Sequence, residues 1–372
     1  MVEWKKLGEQ LDYEQPTPYL VKSTEYDNSF DVPVLTAGHS LLLGYTNEKE
    51  GVFKASKDNP TIIFDDFTTS FHWIDFEFKV KSSAMKMLRP KNGVNFRYVY
   101  YSMCGINFIP SGHQRHWISK YSHFQIPIPS LSEQTRIVSI LDTFTASIDN
   151  LKKQIAERRK QYEYERDQLL DLEGKEGVEM KTLGEIGDVT KLAGFEFTEH
   201  VLYQEKGDII ALRGLNVRNG RLDLSQVKYI DGSNFSKLSR SKLLEHDMLF
   251  TYVGTIGNVA LIDQNEKYYL APNVSRIRFD HSVIHPRFAL YYFMSDHFRR
   301  TQINKYLNSS SMKNLSMENI RKFELSLPSL QEQSRIVSIL DTFEASIANL
   351  EAQLKEREKQ YEYYRNQLLT FE

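Results

Sequence analysis

A stretch of about forty residues occurs twice in this 372-residue chain, and no other feature restricts its fold as much. The first copy runs from Pro129 to Leu170 and the second from Pro328 to Leu369. They align without a gap at an offset of 199 residues, with roughly three quarters of positions identical. In the first copy Ile137, Leu141, Phe144, Ile148, Leu151 and Ile155 follow one another at alternating spacings of four and three, and Arg158, Tyr162, Glu165 and Leu169 continue the series. In the second copy the same series reads Ile336, Leu340, Phe343, Ile347, Leu350, Leu354, Arg357, Tyr361, Tyr364 and Leu368. Apolar residues at this repeat form the seam of a coiled coil. Arg158 and Arg357 interrupt both seams at the same place, either as a solvated break where the helices splay or as a contact for a partner. Ser130 with Glu133, and Ser329 with Glu332, read as capping boxes just after Pro129 and Pro328, while Gly174 and Gly177 suit the stop of the first helix. Each copy is expected to be one helix of about 40 residues, near 60 Å long.

Chain order adds geometry. A globule feeds a long helix, a second globule follows, and that feeds an equal helix. A second helix that packs on the first must return antiparallel, which predicts a pseudo-twofold arrangement with the globules at opposite ends of the first rod. The expected division is 1–128 for the first globule, 129–171 for the central helix, 172–178 for a linker, 179–327 for the second globule and 328–372 for the distal helix. Residues Arg136–Phe144 and Arg335–Phe343 are identical at outward positions as well as along the seam. Packing of two helices does not demand this, whereas binding the same partner twice does.

The globules are far less alike. Lys5, Leu7, Gly8 and Glu9 match Lys181, Leu183, Gly184 and Glu185, and Tyr100–Met103 resembles Tyr291–Met294 at an offset of 191. The second globule therefore carries extra residues inserted in stages. Strand and turn signals dominate both: Val52-Phe53, Thr61–Phe64 before Asp65-Asp66, and Trp73–Phe78 in the first; Asp208–Leu212, Met248–Val253 and Asn258–Ile262 in the second, with a helix expected from Arg287 to about Tyr306. The fold class expected is α/β or α+β: two globules with twisted sheets and long polar loops, joined by two long antiparallel coiled-coil helices.

A net charge of −2 announces no polyanion binder. The distribution says more. Lys79 to His123 holds eight Lys or Arg and no acid, interleaved with aromatic residues, and Asn273 to Leu325 holds nine against four acids. Two basic stretches in corresponding places put polyanion binding level with the alternative of solvated surface and core aromatics. The polar loops carry suitable chemistry: His113, Gln114, Arg115, His116 and Lys120 in the first globule; Arg213, Asn216, Arg218, Asn219 and Arg221, then Ser310, Lys313 and Asn314, in the second. Arginine reads guanine edges, asparagine and glutamine read adenine, and serine and lysine hold phosphates.

No catalytic signature stands out. Gly254-Thr255-Ile256-Gly257 lacks the Gly-Lys-Ser/Thr ending of a phosphate loop, no zinc spacing occurs, and Asn59-Pro60-Thr61 is not the motif of amino-methyltransferases. The spacing of His113, His116 and His123 could suggest a metal, but Arg115 and Lys120 intervene, and Asp65-Asp66 lacks the Glu-x-Lys of a nuclease. No apolar run approaches a membrane span, the opening MVEWKKLGEQ has no apolar core of a secretion signal, and the one cysteine, Cys104, suits a reducing cytoplasm.

Two variable domains, each followed by a helix opening P-S-L-x-E-Q-x-R-I-V at Pro129 and Pro328, resemble the specificity subunit of type I restriction–modification enzymes. Asp247–Thr251, Gly254–Gly257 and Pro272–Val274 are similar to that family's target-recognition domains. The resemblance implies that each globule reads one half of a split double-stranded DNA target, that the helices fix the gap, and that two modification subunits dock on the helices. Those partners would bind S-adenosylmethionine and methylate adenine, with restriction subunits using ATP and magnesium joining them. This chain would carry no catalytic residue, metal or cofactor. The competing readings are the subunit of a fused or otherwise different restriction enzyme, and a coiled-coil scaffold that binds proteins only.

Overall fold

The computed structural model describes residues 2–37, 41–91, 93–110, 112, 114–234, 239–307 and 314–371. Both repeats are single helices: a central one, Leu131–Leu170, and a distal one, Leu330–Leu369. The chain divides into two compact units, Met1–Lys152 with Ala352–Glu372, and Lys153–Glu351. Neither helix stands apart as a rod. Each unit takes one globule together with half of each helix.

In the first unit, strands β1 (Glu3–Lys6), β2 (Leu11–Glu14), β3 (Val32–Leu35), β4 (Leu42–Thr46), β5 (Thr61–Asp65), β6 (Phe71–Ile74), β7 (Lys79–Val80), β8 (Met85–Pro90) and β9 (Gln125–Ile128) form three sheets. The main one is antiparallel, ordered β2-β8-β5-β6; a smaller one is ordered β4-β3-β7; and β1 pairs β9. The continuous apolar run Ile62–Phe64 makes β5 buried on both faces, which is why it lies inside the sheet. Val52-Phe53 forms only a bridge to Phe78, and β6 ends at Ile74, before the expected Phe78.

The second unit has β10 (Glu179–Thr182), β11 (Gly187–Lys191), β12 (Ile210–Leu212), β13 (Val217–Arg218), β14 (Arg221–Leu222), β15 (Met248–Thr251), β16 (Val259–Leu261), β17 (Tyr268–Leu270), β18 (Val274–Phe279) and β19 (Glu324–Leu327). Its antiparallel sheet β11-β18-β15-β16 repeats the connectivity of β2-β8-β5-β6, and β10 pairs β19 as β1 pairs β9. The match of Gly8 to Gly184 acquires a reason here. A side chain at either would press within 3.3 Å of the backbone and Cβ of the facing residue, Ser122 or Arg321. The helix expected from Arg287 to Tyr306 is broken once, after Met294. Ser295 takes an extended conformation and its hydroxyl accepts from Phe298 N, and helical turns, π-wound over Arg299–Ile303, continue to Tyr306.

Both units seat their half-helix on the same station. A short helix, Phe96–Cys104, presents Arg97 and Tyr101 to Asp142 of the central helix at 2.8 and 2.5 Å. Its counterpart, Pro286–Met294, presents Arg287 and Tyr291 to Asp341 of the distal helix at 2.9 and 2.5 Å. The equivalence runs at an offset of 190, so the tyrosine alignment read from sequence slips by one: Tyr101, not Tyr100, corresponds to Tyr291. Burial, then the hydrogen bond to the aspartate, pushes both phenols above their ordinary range, so they remain donors. Beside them Gln134 accepts from Asn95 N and donates to Pro129 O, and Gln333 accepts from His285 N and donates to Pro328 O. Both glutamines are buried, so removing either leaves backbone groups unpaired at about 1–3 kcal/mol each.

The seam runs antiparallel inside each unit. In the first, Ile137 and Leu141 pack with Tyr361, Leu368 and Leu369, while Phe144 stacks on Tyr364 at 5.2 Å. In the second, Ile336, Leu340 and Leu170 share one core, against which Tyr162 and Leu169 pack, and the Tyr162 ring lies 6.4 Å from that of Phe343. Ile148, Leu151 and Ile155 are buried; Phe144, Phe343, Ile347, Leu350 and Leu354 are half-buried. The seam arginines are neither solvated breaks nor free contacts. Arg357 lies over the Phe144 ring and Arg158 over the Phe343 ring, each 5.7 Å from the centroid. At each helix start the serine hydroxyl accepts from Glu133 N or Glu332 N at 3.3 Å, as a cap should, but the glutamate forks onto Arg136 or Arg335.

Candidate nucleic-acid interface

The residues that could meet a nucleic acid in the second unit surround a cleft of about 690 Å³. Arg213, Arg218 and Asn219 line it, together with Tyr203, Asn258 and Asn273. Local sequence explains how they get there. Asn219 and Gly220 both take positive φ, 47° and 80°, and make the two-residue turn of the β13–β14 hairpin. That turn sets Arg218 directly opposite Arg221. Like charges facing each other across a ladder are destabilising unless an anion lies between or beside them. Arg218 has Asp223 at 3.6 Å, while both arginines are exposed at the hairpin tip. A further cleft of about 550 Å³ shares Arg218, Asn219 and Asn258 and adds Arg159, Arg166, Arg221 and Arg299 to its wall.

Arg213 is half-buried; its guanidinium donates to Gln226 O at 2.9 Å and lies 6.0 Å from the centre of the Tyr203 ring. Asn216 has a different role from the one expected. It is fully buried, accepts from Arg213 N and donates to the carbonyls of Asp223 and Gln226, so it braces the loop and presents nothing to a ligand. Asn314 is exposed and bridges Val253. Ser310 and Lys313, like His113 in the first unit, lie outside the described residues.

In the first unit Gln114, Arg115 and Lys120 are exposed around the short helix His116–Ser119. His116 is not available: it is fully buried, edge-on to Phe108 at 5.5 Å, with its backbone N donating to Asp66 O. Asp66 in turn accepts from Trp117 N and pairs with Lys86 at 3.1 Å, both side chains buried. The aspartate pair is therefore architecture. Among the described residues no group of three or more His, Cys, Asp or Glu could hold a metal.

The basic stretches also lose part of their charge on folding. Lys79 meets Glu48, Lys86 meets Asp66, and Arg97 meets Asp142. In the second stretch Arg276 meets Asp188, Arg278 meets Asp247 and Arg287 meets Asp341. Asp188 comes from β11, the strand beside β18 in the same sheet, and all six acids lie outside the two basic stretches in sequence. Tyr203, Asn258 and Asn273 were missed in the sequence. The closely spaced Gly254 and Gly257, with φ of 77° and 90°, were the available signal that the loop before Asn258 is shaped for a purpose.

Comparison with known proteins decides the family. The model of the type I restriction modification DNA specificity domain matches residues 1–158 and again 175–359. The chain belongs to the type I restriction–modification specificity subunits. It is 37% identical to the EcoR124I/EcoR124II specificity subunit of Escherichia coli over 100% of this chain and 94% of that protein. It is 23% identical to the EcoBI specificity subunit of the same species, over 90% of this chain and 78% of that one. The solved S subunit from M. genitalium superposes with a TM-score of 0.61 at 15% identity, covering 100% of this chain and 97% of that one, and so shares the fold. A structure described in the context of complex assembly and conformational transition of a type I system gives 0.55 at 14% identity, covering 99% and 96%.

This specificity subunit serves DNA target recognition. Its repeated helix starts also expose one face twice. Arg136, Ser139 and Thr143 on the central helix, and Arg335, Ser338 and Thr342 on the distal helix, are exposed, and the Glu133–Arg136 fork is reproduced by Glu332–Arg335. Leu131 and Leu330 are exposed at 54% and 39%, an apolar foothold on each copy of that face. Among the described residues no helix is long and apolar enough to cross a membrane.

Proposed function

We propose that each unit reads one half of a split target in double-stranded DNA, and that the helices set the gap between the halves. Two modification subunits, carrying S-adenosylmethionine and methylating adenine, dock on the chain, and restriction subunits using ATP and magnesium join them in the cytoplasm. This chain supplies the address and no catalytic group. The observation that carries the reading is the contrast between what is repeated and what is not. The Asp142 and Asp341 stations, the buried glutamines and the exposed Arg136–Thr143 and Arg335–Thr342 faces are the same twice. The loops around them differ. A common partner requires the first; two unlike DNA sequences require the second.

The mass of the assembled complex tests the partner reading. Two modification subunits per chain are expected, one for each repeated face. A stable one-to-one complex with full methylation activity would contradict it.

A further inference from the structure

The loop leaving β5 in the first unit and the loop leaving β15 in the second are built on one backbone plan. In the first, Asp65 N donates to Ser70 O at 2.8 Å and Thr69 N to Asp65 O at 2.9 Å, with Thr69 at φ 58°. In the second, Thr251 N donates to Asn258 O at 2.9 Å and Gly257 N to Thr251 O at 3.0 Å, with Gly257 at φ 90°. The strand pairs Phe64↔Phe71 and Phe250↔Val259 continue the match. Ser70 and Asn258 therefore occupy the same place in two domains that otherwise share little in their loops.

Asn258 is the more telling of the two. Its backbone is fixed from both sides, since Asn258 N also donates to Thr251 Oγ1 at 3.0 Å. Its side-chain amide has no hydrogen-bond partner among the described residues, and it lines both clefts. Asn219 and Asn273 have backbone reasons to be asparagine, at φ of 47° and 70°. Asn258 has none. Its backbone is anchored while its carboxamide faces the open clefts, so the amide is available to a ligand that enters them. The planar amide of asparagine matches N6 and N7 of adenine in the major groove with two hydrogen bonds.

We propose that Asn258 reads an adenine in the half-site recognised by the second unit, and that Ser70 holds the corresponding place in the first. The inference rests on the reading of this chain as one that recognises a split DNA target. In the complex assembled with its modification subunits, Asn258→Ala and Asn258→Ser are expected to relax one A·T position in one half of the methylated sequence. They should lower methylation of the original target by roughly ten- to a hundredfold, while the other half and the gap stay as they were. The readout is the set of methylated sites in DNA treated with each complex, alongside the unaltered chain. An unchanged target at an unchanged rate would overturn the proposal. So would relaxation at a G·C position, or loss of recognition in both halves together, which would mean the residue only supports the fold. If the unaltered chain directs no split target at all, the reading beneath the proposal fails first, and the two failures are told apart.

Discussion

A chain whose residues 1–128 are replaced by the first recognition segment of another family member is expected to methylate a target with one new half and one old one. Methylation of the original sequence should fall by about a thousandfold or more, because several base pairs of one half would be mismatched at about 1–3 kcal/mol each. The boundary suits the exchange. β1 and β9 pair with each other and leave together, so no ladder is cut at Ile128. What stays behind is Asp142 and Gln134 on the central helix, which need an arginine, a tyrosine and a free backbone N–H from the incoming segment, as Arg97, Tyr101 and Asn95 supply them. A donor segment lacking the Arg-x-x-x-Tyr spacing should fail to assemble, and one that has it should transfer its specificity. Mapping the methylated sites distinguishes the cases. A change in both halves, or in neither, would count against one reader per half-site.

The second large effect is on the gap. Four residues inserted between Lys152 and Lys153, and four between Glu351 and Ala352, leave the internal contacts of each unit untouched, because the units divide there. Each insertion lengthens its helix by about 6 Å and turns it by about 40° beyond a full turn. DNA advances about 3.4 Å per base pair. The gap in the methylated target should grow by one or two base pairs, while both halves keep their sequence. An unchanged gap with full activity would mean that the helices do not set the spacing.

Much of this organisation is written in local pattern. The four–three spacing, with the capping serines ahead of it, gives both helices to within about three residues of their ends, and the unbroken apolar run Ile62–Phe64 gives a central strand. Loop and station chemistry is harder, because it depends on residues far apart in the chain. Nothing around Arg97 points to Asp142, 45 residues on, and a count of charges in Lys79–His123 cannot see Glu48, Asp66 or Asp142 cancelling three of them. His116 and Asn216 sit among polar neighbours and look exposed, yet the backbone bond of His116 to Asp66 and the side-chain bonds of Asn216 turn them inward. The place of Asn258 depends on bonds made by Thr251, seven residues earlier, and on an amide left without a partner among the described residues, neither of which local sequence shows. Periodicity records burial; it does not record which polar group is left for a ligand.

The most direct measurement is the map of methylated adenines in cells that carry this gene with its modification partner, compared with cells from which the gene alone is removed. Two short, unlike sequences separated by a constant stretch of unspecified bases, methylated only when this chain is present, is the predicted result. A continuous target, or methylation that persists without the chain, would contradict the claim that two dissimilar readers on a repeated scaffold choose where the complex acts.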